Sequence, residues 1–474
     1  PARLAAMQAR AAAIAAAGGL DAALAAGALP MRVDTTLSEG LVLGLLRQGV
    51  RKYLAVFGHG CTDLGEVLRV YEAAGVVRTW QFRNEVAMAH AATALRWVYG
   101  ETAAVVTSIG PGALHALAGS LAAASNGIGV YHVYGDETTH GEGPNMQAIP
   151  KHEQGLFGRL AATMGESYVL HTPQALRAAL RRGAHAVHRP HRAGPFFLLL
   201  PINMQPAPLD GLNLASLPGR PATPPAAVAD DAALDAAVDL ARSHSRIVIK
   251  AGGGCRGATA EVRALAEALP AVVALSPGAL GVLPDAHPLN MLVGGSKGSI
   301  CGNHAMAGAG LAIVIGSRAV CQADCSGIGF TAAQAVININ ADLADATHYN
   351  RTVALPGDAA AVIRKLLARL AARGGADPRR AEAWLAETAD RKREWIAYKA
   401  ARYARPVLHD PVWGGEVLTQ PAAIKIAADF ARSVGAVKFF DAGDVQANGF
   451  QVVEDDRPLE TVTDTGASYM GFAV

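Results

Sequence analysis

The sequence has 474 residues, of which 51% are hydrophobic and 17% are charged, and its formal net charge is +2. A chain of this length exceeds what a single hydrophobic core supports, so two or three domains are expected. The near-neutral charge disfavours a nucleic acid or an anionic membrane surface as the main partner.

The N-terminal half of the chain alternates apolar runs with helical patterns. Residues 1–30 are rich in alanine and lack the compact apolar segment of a signal peptide, so they are interpreted as a helical extension. In residues 31–209 the alternation predicts a parallel sheet covered by helices on both faces, which is a first α/β domain. The stretch 102–135 has no charged residue, but a Gly-Pro-Gly turn interrupts it. A buried strand–turn–helix unit therefore explains it better than a membrane span.

The remainder of the chain repeats this organisation. Residues 210–227 are predicted to be a linker, 228–372 a second α/β domain, 373–410 a charged helical connection and 411–474 the start of a third α/β block. The predicted fold class is α/β, with three doubly wound parallel-sheet domains. The predicted strands lie at 54–57, 103–108, 130–134, 196–201, 246–250, 272–275, 311–315, 335–339 and 437–441. Because the chain begins at a proline and ends inside an apolar stretch, we expect it to be a fragment of a longer protein.

The cysteines indicate a reducing environment. There are five of them, an odd number, and they are scattered along the chain, which favours free thiols in the cytoplasm over a disulfide framework. Cys321 and Cys325 are too far apart for a C-x-x-C redox pair, and no second pair has matching metal-ligand spacing. We therefore assign no metal ligand.

A single carboxylate, Glu85, follows QFRN (81–84) at a predicted strand-to-helix junction. The helix that it opens is apolar almost all round, so the helix and Glu85 are predicted to be buried. The alternative role of Glu85 is to complement the dipole at the helix N-terminus. Glycine turns in FGHG (57–60) and TSIGPGA (107–113) follow two neighbouring strands. Because ligands bind at the carboxyl ends of parallel strands, we expect these two turns and the turn that carries Glu85 to meet at one ligand-binding edge.

The order of these motifs resembles the pyrimidine-binding domain of thiamine-diphosphate-dependent enzymes of the acetolactate synthase superfamily. Ile109, inserted between Ser108 and Gly110, is similar to the pattern in trihydroxycyclohexane-1,2-dione hydrolases of inositol breakdown. The segments KAGGGCRGA (250–258) and VININAD (336–342) resemble the central domain of the family. The segments FFDAGDVQ and GASYMGFAV, near the C-terminus, resemble the opening of its diphosphate-binding domain.

The resemblance implies roles for particular residues. Glu85 would bind the pyrimidine ring of thiamine diphosphate and activate the cofactor. The cofactor-binding residues would be Glu85, Gly110, Pro111, Gly112 and Met470. Met470 matches the bulky residue that forces the two rings of the cofactor together, and core packing is its alternative role.

The resemblance also indicates residues that handle the substrate. His59 lies on the turn that faces the reactive carbon, and His152 falls where relatives place polar residues; each is a candidate to move protons, with a structural or surface role as the alternative. His115 and His132 are expected in the core or in helix packing. The substrate-binding candidates are Cys61, Thr62, Asn126, Gln147 and Gln154.

The family holds the diphosphate through Mg²⁺, bound by Gly-Asp-Gly and a later Asn, and those ligands are expected C-terminal to Val474. The run GGGCRG (252–257) lacks dinucleotide-loop spacing, so no nucleotide is assigned there.

The resemblance implies a cytoplasmic homodimer or homotetramer with shared active sites that takes a small carbonyl substrate, without a nucleic acid or membrane partner. The expected reaction is hydrolytic opening of a cyclic, trihydroxycyclohexane-type 1,2-dione. One alternative is an acetolactate synthase-like 2-oxo-acid carboligase or decarboxylase. Another is a cofactor-free binding or regulatory protein on the same fold.

Overall fold

The computed structural model describes residues 2–142, 144, 146–147, 149–150, 154–222, 230–325 and 328–474. The chain divides into two compact units, residues 1–223 and residues 224–473. Residues 411–473 belong to the second unit, and their separation as a third domain stays a prediction. All five cysteines are free thiols.

The first unit begins with helices and then alternates strands with helices. Its helices are α1 (Ala2–Ala17), α2 (Leu20–Ala25), α3 (Leu37–Arg47), α4 (Thr62–Ala73), α5 (Glu85–Tyr99), α6 (Pro111–Gly119), α7 (Leu121–Asn126), α8 (Leu156–Ala161) and α9 (Leu176–His188). Its strands are β1 (Arg32–Thr36), β2 (Lys52–Val56), β3 (Arg78–Gln81), β4 (Ala103–Thr107), β5 (Tyr131–Asp136), β6 (Glu166–Val169), β7 (Phe196–Pro201) and β8 (Pro208–Asn213).

The main sheet of the first unit is parallel, with the strand order β3-β2-β4-β5-β7-β6. Alternate residues of a strand enter different cores: Ala104 and Val106 pack in one hydrophobic cluster, and Ala103 and Val105 pack in another. Both faces of the sheet are therefore covered, which explains why the central strands are apolar at nearly every position. Strands β1 and β8 form a separate antiparallel pair.

Helix α1 is attached to this unit by apolar contacts and by one buried ion pair. Met7 and Ile14 are buried, and Arg10 donates to both carboxylate oxygens of Glu39 at 2.8 and 2.6 Å. The Tyr71 hydroxyl donates to the same carboxylate at 2.9 Å. Since Glu39 is buried, these two donors compensate for the removal of its charge from water.

The second unit has the same alternation. Its helices are α10 (Asp231–Ser243), α11 (Thr259–Ala268), α12 (Ile300–Gly308), α13 (Cys321–Asp324), α14 (Leu343–Ala346), α15 (Ala359–Ala372), α16 (Glu382–Tyr403), α17 (Gln420–Ser433) and α18 (Asp444–Val452). Its strands are β9 (Ile247–Ala251), β10 (Val272–Leu275), β11 (Asn290–Val293), β12 (Leu311–Ile315), β13 (Ala335–Asn340), β14 (Thr352–Pro356), β15 (Val407–Asp410), β16 (Gly415–Leu418), β17 (Lys438–Phe440) and β18 (Thr461–Thr463).

The main sheet of the second unit is also parallel, in the order β11-β10-β9-β12-β13-β14. Two smaller pairs accompany it, β15 with β16 antiparallel and β17 with β18 parallel. The two six-stranded parallel sheets confirm the predicted α/β class. Among the described residues, no helix is both long enough and apolar enough to cross a membrane.

Candidate functional site

The candidate site lies at the carboxyl edge of the first sheet, where β3, β2 and β4 are neighbours. The turn after β2 contacts the turn after β4, because the backbone N–H of Gly60 donates to Ser108 Oγ at 3.1 Å. A Cβ atom added at Gly58 would lie 2.7 Å from the same oxygen, which is closer than packed atoms allow. The structure therefore brings the two glycine turns together, and only residues without a side chain fit at this approach.

Glu85 opens α5 directly beside these turns. The side-chain oxygen of Asn84 accepts from the backbone N–H groups of Val86 and Ala87 at 2.9 and 3.1 Å, so Asn84 caps the helix. With the cap supplied by Asn84, the Glu85 carboxylate is not needed for that role. Its side chain is 15% exposed, so Glu85 is largely covered but reaches solvent, where full burial was expected.

The Glu85 carboxylate faces the first turn of α6. Its Oε2 atom lies 3.3 Å from His115 Nδ1, and its Oε1 atom would lie 3.3 Å from a Cβ atom added at Gly112. The same Cβ atom would overlap Thr107 Oγ1. That hydroxyl is buried and has no hydrogen-bond partner within the described residues. Glycine at position 112 thus keeps a small space open between two oxygen atoms.

The expectation that His115 lies in the core or in helix packing is wrong. Its side chain is 61% exposed and points along the surface of α6 to Glu85. The reason is the crossing of α5 and α6: a Cβ atom added at Gly119 would lie 2.8 Å from Val86 O and 2.9 Å from the Ala89 Cβ atom. This close approach brings His115, one turn before Gly119, to Glu85. His132, in contrast, is fully buried as expected, and burial lowers its pKa to about 3.

Gly110 shows why the second turn needs glycine. Its φ angle is +68°, in the left-handed region, and a Cβ atom there would overlap the carbonyl oxygen of Gln147. The backbone of Gln147 therefore contacts the turn, while its side chain is exposed. Pro111 occupies the first position of α6, where its missing N–H group costs no hydrogen bond.

The three candidates on the turn after β2 differ in accessibility. His59 and Thr62 are exposed. The Cys61 thiol is 1% exposed, and burial raises its pKa. His59 and Thr62 therefore stay candidates for substrate contact, whereas core packing explains Cys61 better. A cleft of about 430 Å³ adjoins this turn, between α4 and β3, and Glu85 is not among the residues that line it.

Two of the remaining substrate candidates form hydrogen bonds to the backbone or from a neighbouring side chain, and a third lies outside the described residues. The Asn126 amide donates to Ala122 O at 2.8 Å, at the end of α7. Gln154 is exposed, and its carbonyl oxygen accepts from Arg159. His152 lies outside the described residues.

Two acids at the end of β5 belong to the same edge, and the sequence reasoning missed them. Asp136 is 7% exposed and Glu137 is 6% exposed. Burial raises the pKa of Asp136 to about 7, and the neighbouring charges of Glu142 and Glu137 add to the effect. Gly135 packs directly on the carbonyl oxygen of Gly60, which places this strand end beside the first turn. The available signal was that these are the first charges after the uncharged stretch 102–135.

In the second unit, Met470 stands on a loop that is held by carboxylates. Asp441 accepts from the backbone N–H groups of Gly471 at 2.8 Å and Phe472 at 3.1 Å. Asp464 accepts from those of Ala467 at 3.0 Å and Tyr469 at 3.1 Å. Met470 itself is 82% exposed, so the alternative role in core packing is wrong. Across the described residues, no three His, Cys, Asp or Glu side chains are arranged to hold a metal ion.

Two family models match the chain. The model described as thiamine pyrophosphate enzyme, N-terminal TPP binding domain, matches residues 35–157, and the one described as thiamine pyrophosphate enzyme, central domain, matches residues 234–366. The acetolactate synthase large subunit of Corynebacterium glutamicum is 27% identical over 426 residues, which cover 86% of this chain and 63% of the relative.

Two further relatives are similar to this chain. Acetolactate synthase isozyme 1 large subunit of Escherichia coli is 24% identical over 456 residues, covering 94% of this chain and 75% of the relative. The 3D-(3,5/4)-trihydroxycyclohexane-1,2-dione hydrolase 2 of Bacillus cereus is 27% identical over 288 residues, covering 57% of this chain and 43% of the relative. The chain thus spans less than two thirds of the Corynebacterium relative's length.

Proposed function

The chain belongs to the thiamine pyrophosphate enzyme family, and on this basis we propose that it acts with thiamine diphosphate to cleave or form a C–C bond next to a carbonyl group. The observation that carries the proposal is the placement of Glu85. Its carboxylate is largely covered, stands at the carboxyl edge of a parallel sheet, and is not used for capping its own helix. An acid in this position is available to a ligand.

The residues around Glu85 fit a flat polar ring. Thr107 Oγ1 is buried without a partner in the described part of the chain, and Gly112 leaves the space beside it open. A side chain at position 112 would fill this space, so glycine keeps the edge beside Glu85 open. We propose that Gly110, Pro111 and Gly112 form the floor under the ring and that Glu85 binds a ring nitrogen.

Thiamine diphosphate, when bound, supplies the chemistry that breaks a C–C bond beside a carbonyl group. The protein supplies orientation and polarity. The Glu85 carboxylate is held at a fixed place, the two glycine turns shape the site, and the largely covered position of Glu85 limits water around the carboxylate. His59 and Thr62 are exposed on the first turn and are proposed to contact the substrate.

The specific reaction that we favour is hydrolytic opening of a cyclic, trihydroxycyclohexane-type 1,2-dione. A hydroxylated ring requires several hydrogen-bonding side chains, because each buried hydroxyl left unpaired costs ~1–3 kcal/mol. The edge supplies Asp136 and Glu137 in addition to His59 and Thr62, a polar set that suits such a ring. Three motifs also favour a hydrolase: FGHG (57–60), TSIGPGA (107–113) with Ile109, and SYMGF (468–472).

The second candidate is an acetolactate synthase-like carboligase or decarboxylase of 2-oxo acids. The observation that favours it is coverage: the Corynebacterium synthase aligns with 86% of this chain, against 57% for the Bacillus cereus hydrolase. A cofactor-free binding or regulatory protein is the third candidate. The placement of Glu85 argues against this candidate, because its carboxylate reaches solvent and Asn84, rather than Glu85, caps helix α5.

The experiment is a comparison of kcat/KM on pyruvate and on a hydroxylated cyclohexane-1,2-dione, made with the complete gene product. We expect the dione to be the better substrate, and His59→Ala to lower that rate more than it lowers cofactor affinity. A clear preference for pyruvate, with acetolactate as the product, would replace the hydrolase by the carboligase. No turnover of either substrate, together with no cofactor binding, would favour the third candidate.

We further propose that the protein works in the cytoplasm as a homodimer or homotetramer with shared active sites, and that Mg²⁺ and the diphosphate are held by residues outside 1–474. Met470 is proposed to set the angle between the cofactor rings, and its exposure and fixed backbone support this role. Calorimetry with residues 1–474 and with the complete gene product tests the Mg²⁺ assignment. Submicromolar, Mg²⁺-dependent binding of thiamine diphosphate by residues 1–474 alone would contradict it.

A further inference from the structure

We propose that His115 is a positioning residue for Glu85: it donates a hydrogen bond from Nδ1 to Oε2 and so leaves Oε1 for the ligand ring. The inference rests on the proposed function, since it assigns how the Glu85 carboxylate is oriented towards the cofactor. Its basis is the contact of 3.3 Å between His115 Nδ1 and Glu85 Oε2. The other carboxylate oxygen faces the open space at Gly112.

The contact is fixed by the backbone rather than by the two side chains alone. Asn84 caps α5 and fixes the start of that helix, and Gly119 lets α6 approach α5 at Val86 and Ala89. Glu85 and His115 therefore extend from two helix surfaces that are locked together. A carboxylate oriented in this way needs little rearrangement when a ligand arrives, which is how preorganised sites lower the cost of binding and activation.

A contribution to folding stability does not explain the contact between His115 and Glu85. His115 is 61% exposed, and an ion pair at such exposure contributes little to folding because water and salt screen it. The hydrophobic side of α6 is formed by other residues, Ala113, Ala116 and Leu117, which are buried. The imidazole of His115 adds nothing to that core. An exposed histidine that nevertheless contacts the candidate catalytic carboxylate is explained by a role at the site.

The hydrogen bond specifies the tautomer of the imidazole, and this can be measured without any cofactor. For Nδ1 to donate to Glu85, the neutral ring must carry its hydrogen on Nδ1, whereas free histidine prefers Nε2. We therefore expect ¹⁵N chemical shifts of His115 in the cofactor-free protein to show the Nδ1–H tautomer. In Glu85→Ala, which has no acceptor, we expect the ring to return to Nε2–H.

The second measurement is made on the complete protein loaded with thiamine diphosphate and Mg²⁺. His115→Ala should slow C2 proton exchange of the bound cofactor by about 10–100-fold, the loss expected for one hydrogen bond to a charged group, while the cofactor Kd changes less than about threefold. His115→Asn, which keeps a donor, should restore part of the rate. His185→Ala is the matched control, since His185 is an exposed histidine on another helix, α9.

The outcomes separate this inference from the proposed function. An Nε2–H tautomer that is the same with and without the Glu85 carboxylate overturns the role of His115. An exchange rate in His115→Ala equal to that of the wild type also overturns it. If instead Glu85→Gln leaves exchange unchanged, the proposed function fails, and the tautomer measurement still reports whether the two side chains are bonded.

Discussion

The two parallel sheets have the same architecture but different carboxyl edges. In the first sheet the edge carries Glu85 and His115, both in contact with solvent, and beside them the hydroxyl of Thr107, which has no hydrogen-bond partner among the described residues. In the second sheet Lys250, one residue before the end of β9, is fully buried. Its Nζ atom donates to the carbonyl oxygens of Leu275 at 3.0 Å and Gly294 at 2.7 Å.

This comparison shows how similar sheets acquire different roles. Burial lowers the pKa of Lys250 to about 7, and its Nζ atom is engaged by two backbone carbonyl groups inside the protein. The Gly252 turn is also closed, since a Cβ atom there would overlap the carbonyl oxygen of Gly316. Atoms of the protein thus fill the carboxyl edge of the second sheet at Lys250 and Gly252, whereas the carboxyl edge of the first sheet leaves the Glu85 carboxylate accessible to a ligand. Function follows from the side chains at the edge and not from the sheet.

The strongest test of the comparison is Glu85→Gln. Glutamine keeps the shape of the side chain but cannot carry negative charge, so we expect C2 proton exchange of bound thiamine diphosphate to fall by roughly 10²–10⁴-fold, as for other acid–base groups. Exchange is followed by NMR in the complete protein. Glu101→Gln is the control, because Glu101 is an exposed acid that pairs with Lys52 elsewhere in the same unit. Equal rates in Glu85→Gln and the wild type would remove Glu85 from the mechanism.

For Lys250→Ala we expect the main effect on the stability of the protein. Loss of the side chain leaves a cavity and removes one hydrogen-bond donor from each of the carbonyl groups of Leu275 and Gly294, so the free energy of unfolding should fall by about 2–4 kcal/mol. Chemical denaturation followed by far-ultraviolet circular dichroism measures the change. Glu85→Gln should leave this free energy within about 0.5 kcal/mol of the wild type, because glutamine keeps the shape of the side chain and the contact that it alters is with the exposed His115. A Lys250→Ala protein of unchanged stability would contradict the view that the second edge is a packing site.

A smaller effect on stability is expected when a glycine at the carboxyl edge of each sheet is replaced by alanine. In Gly112→Ala the new Cβ atom would overlap Thr107 Oγ1 and press on Glu85 Oε1, so unfolding should become easier by ~1–3 kcal/mol and cofactor activation should fall. In Gly278→Ala, on the turn after β10, the nearest atom would be 4.0 Å away, in ordinary contact. Thermal denaturation of the two variants provides the comparison. Equal destabilisation by both would show that the space at Gly112 is not specific.

The smallest expected effect concerns the pH dependence of the first unit. Burial raises the pKa of Asp136 to about 7, so the folded protein retains a proton that the unfolded chain releases near pH 4. The stabilising contribution of this proton is complete below pH 4 and is lost as the pH rises through 7. Asp136→Asn should flatten the melting temperature between pH 4 and 7, whereas Asp34→Asn, on β1, should not. A wild-type slope in Asp136→Asn would contradict the assignment.

The sequence predicts the centre of each sheet better than its edges. Strands β2, β4, β5 and β7 are continuous apolar runs because both of their faces are buried, and a run of this kind is visible in the sequence. Within the two six-stranded sheets, the prediction gives no range for β3, β6, β11 and β14, and all four are edge strands. An edge strand such as β6, with the sequence ESYV, is partly exposed and carries polar residues, so it has no distinct pattern.

The candidate site divides in a similar way. Glu85 and the two glycine turns are recognisable, because a lone acid and a Gly-Pro-Gly motif have local signatures. The role of His115 depends on which face of α6 crosses α5, and that is decided by the contact of Gly119 with Val86 and Ala89. The burial of Asp136 likewise depends on strands that lie on either side of β5. Neither contact is local in sequence, so neither can be predicted from a motif.

The loop that carries Met470 has one further consequence. Its backbone N–H groups at Ala467, Tyr469, Gly471 and Phe472 are engaged by Asp441 and Asp464. A phosphate group would have to compete with these two internal anions for the same donors, and it would also meet their negative charge. The thioether of Met470 is therefore accessible to an approaching molecule. The carboxylates of Asp441 and Asp464, in contrast, disfavour the binding of an anion to the backbone N–H groups of this loop.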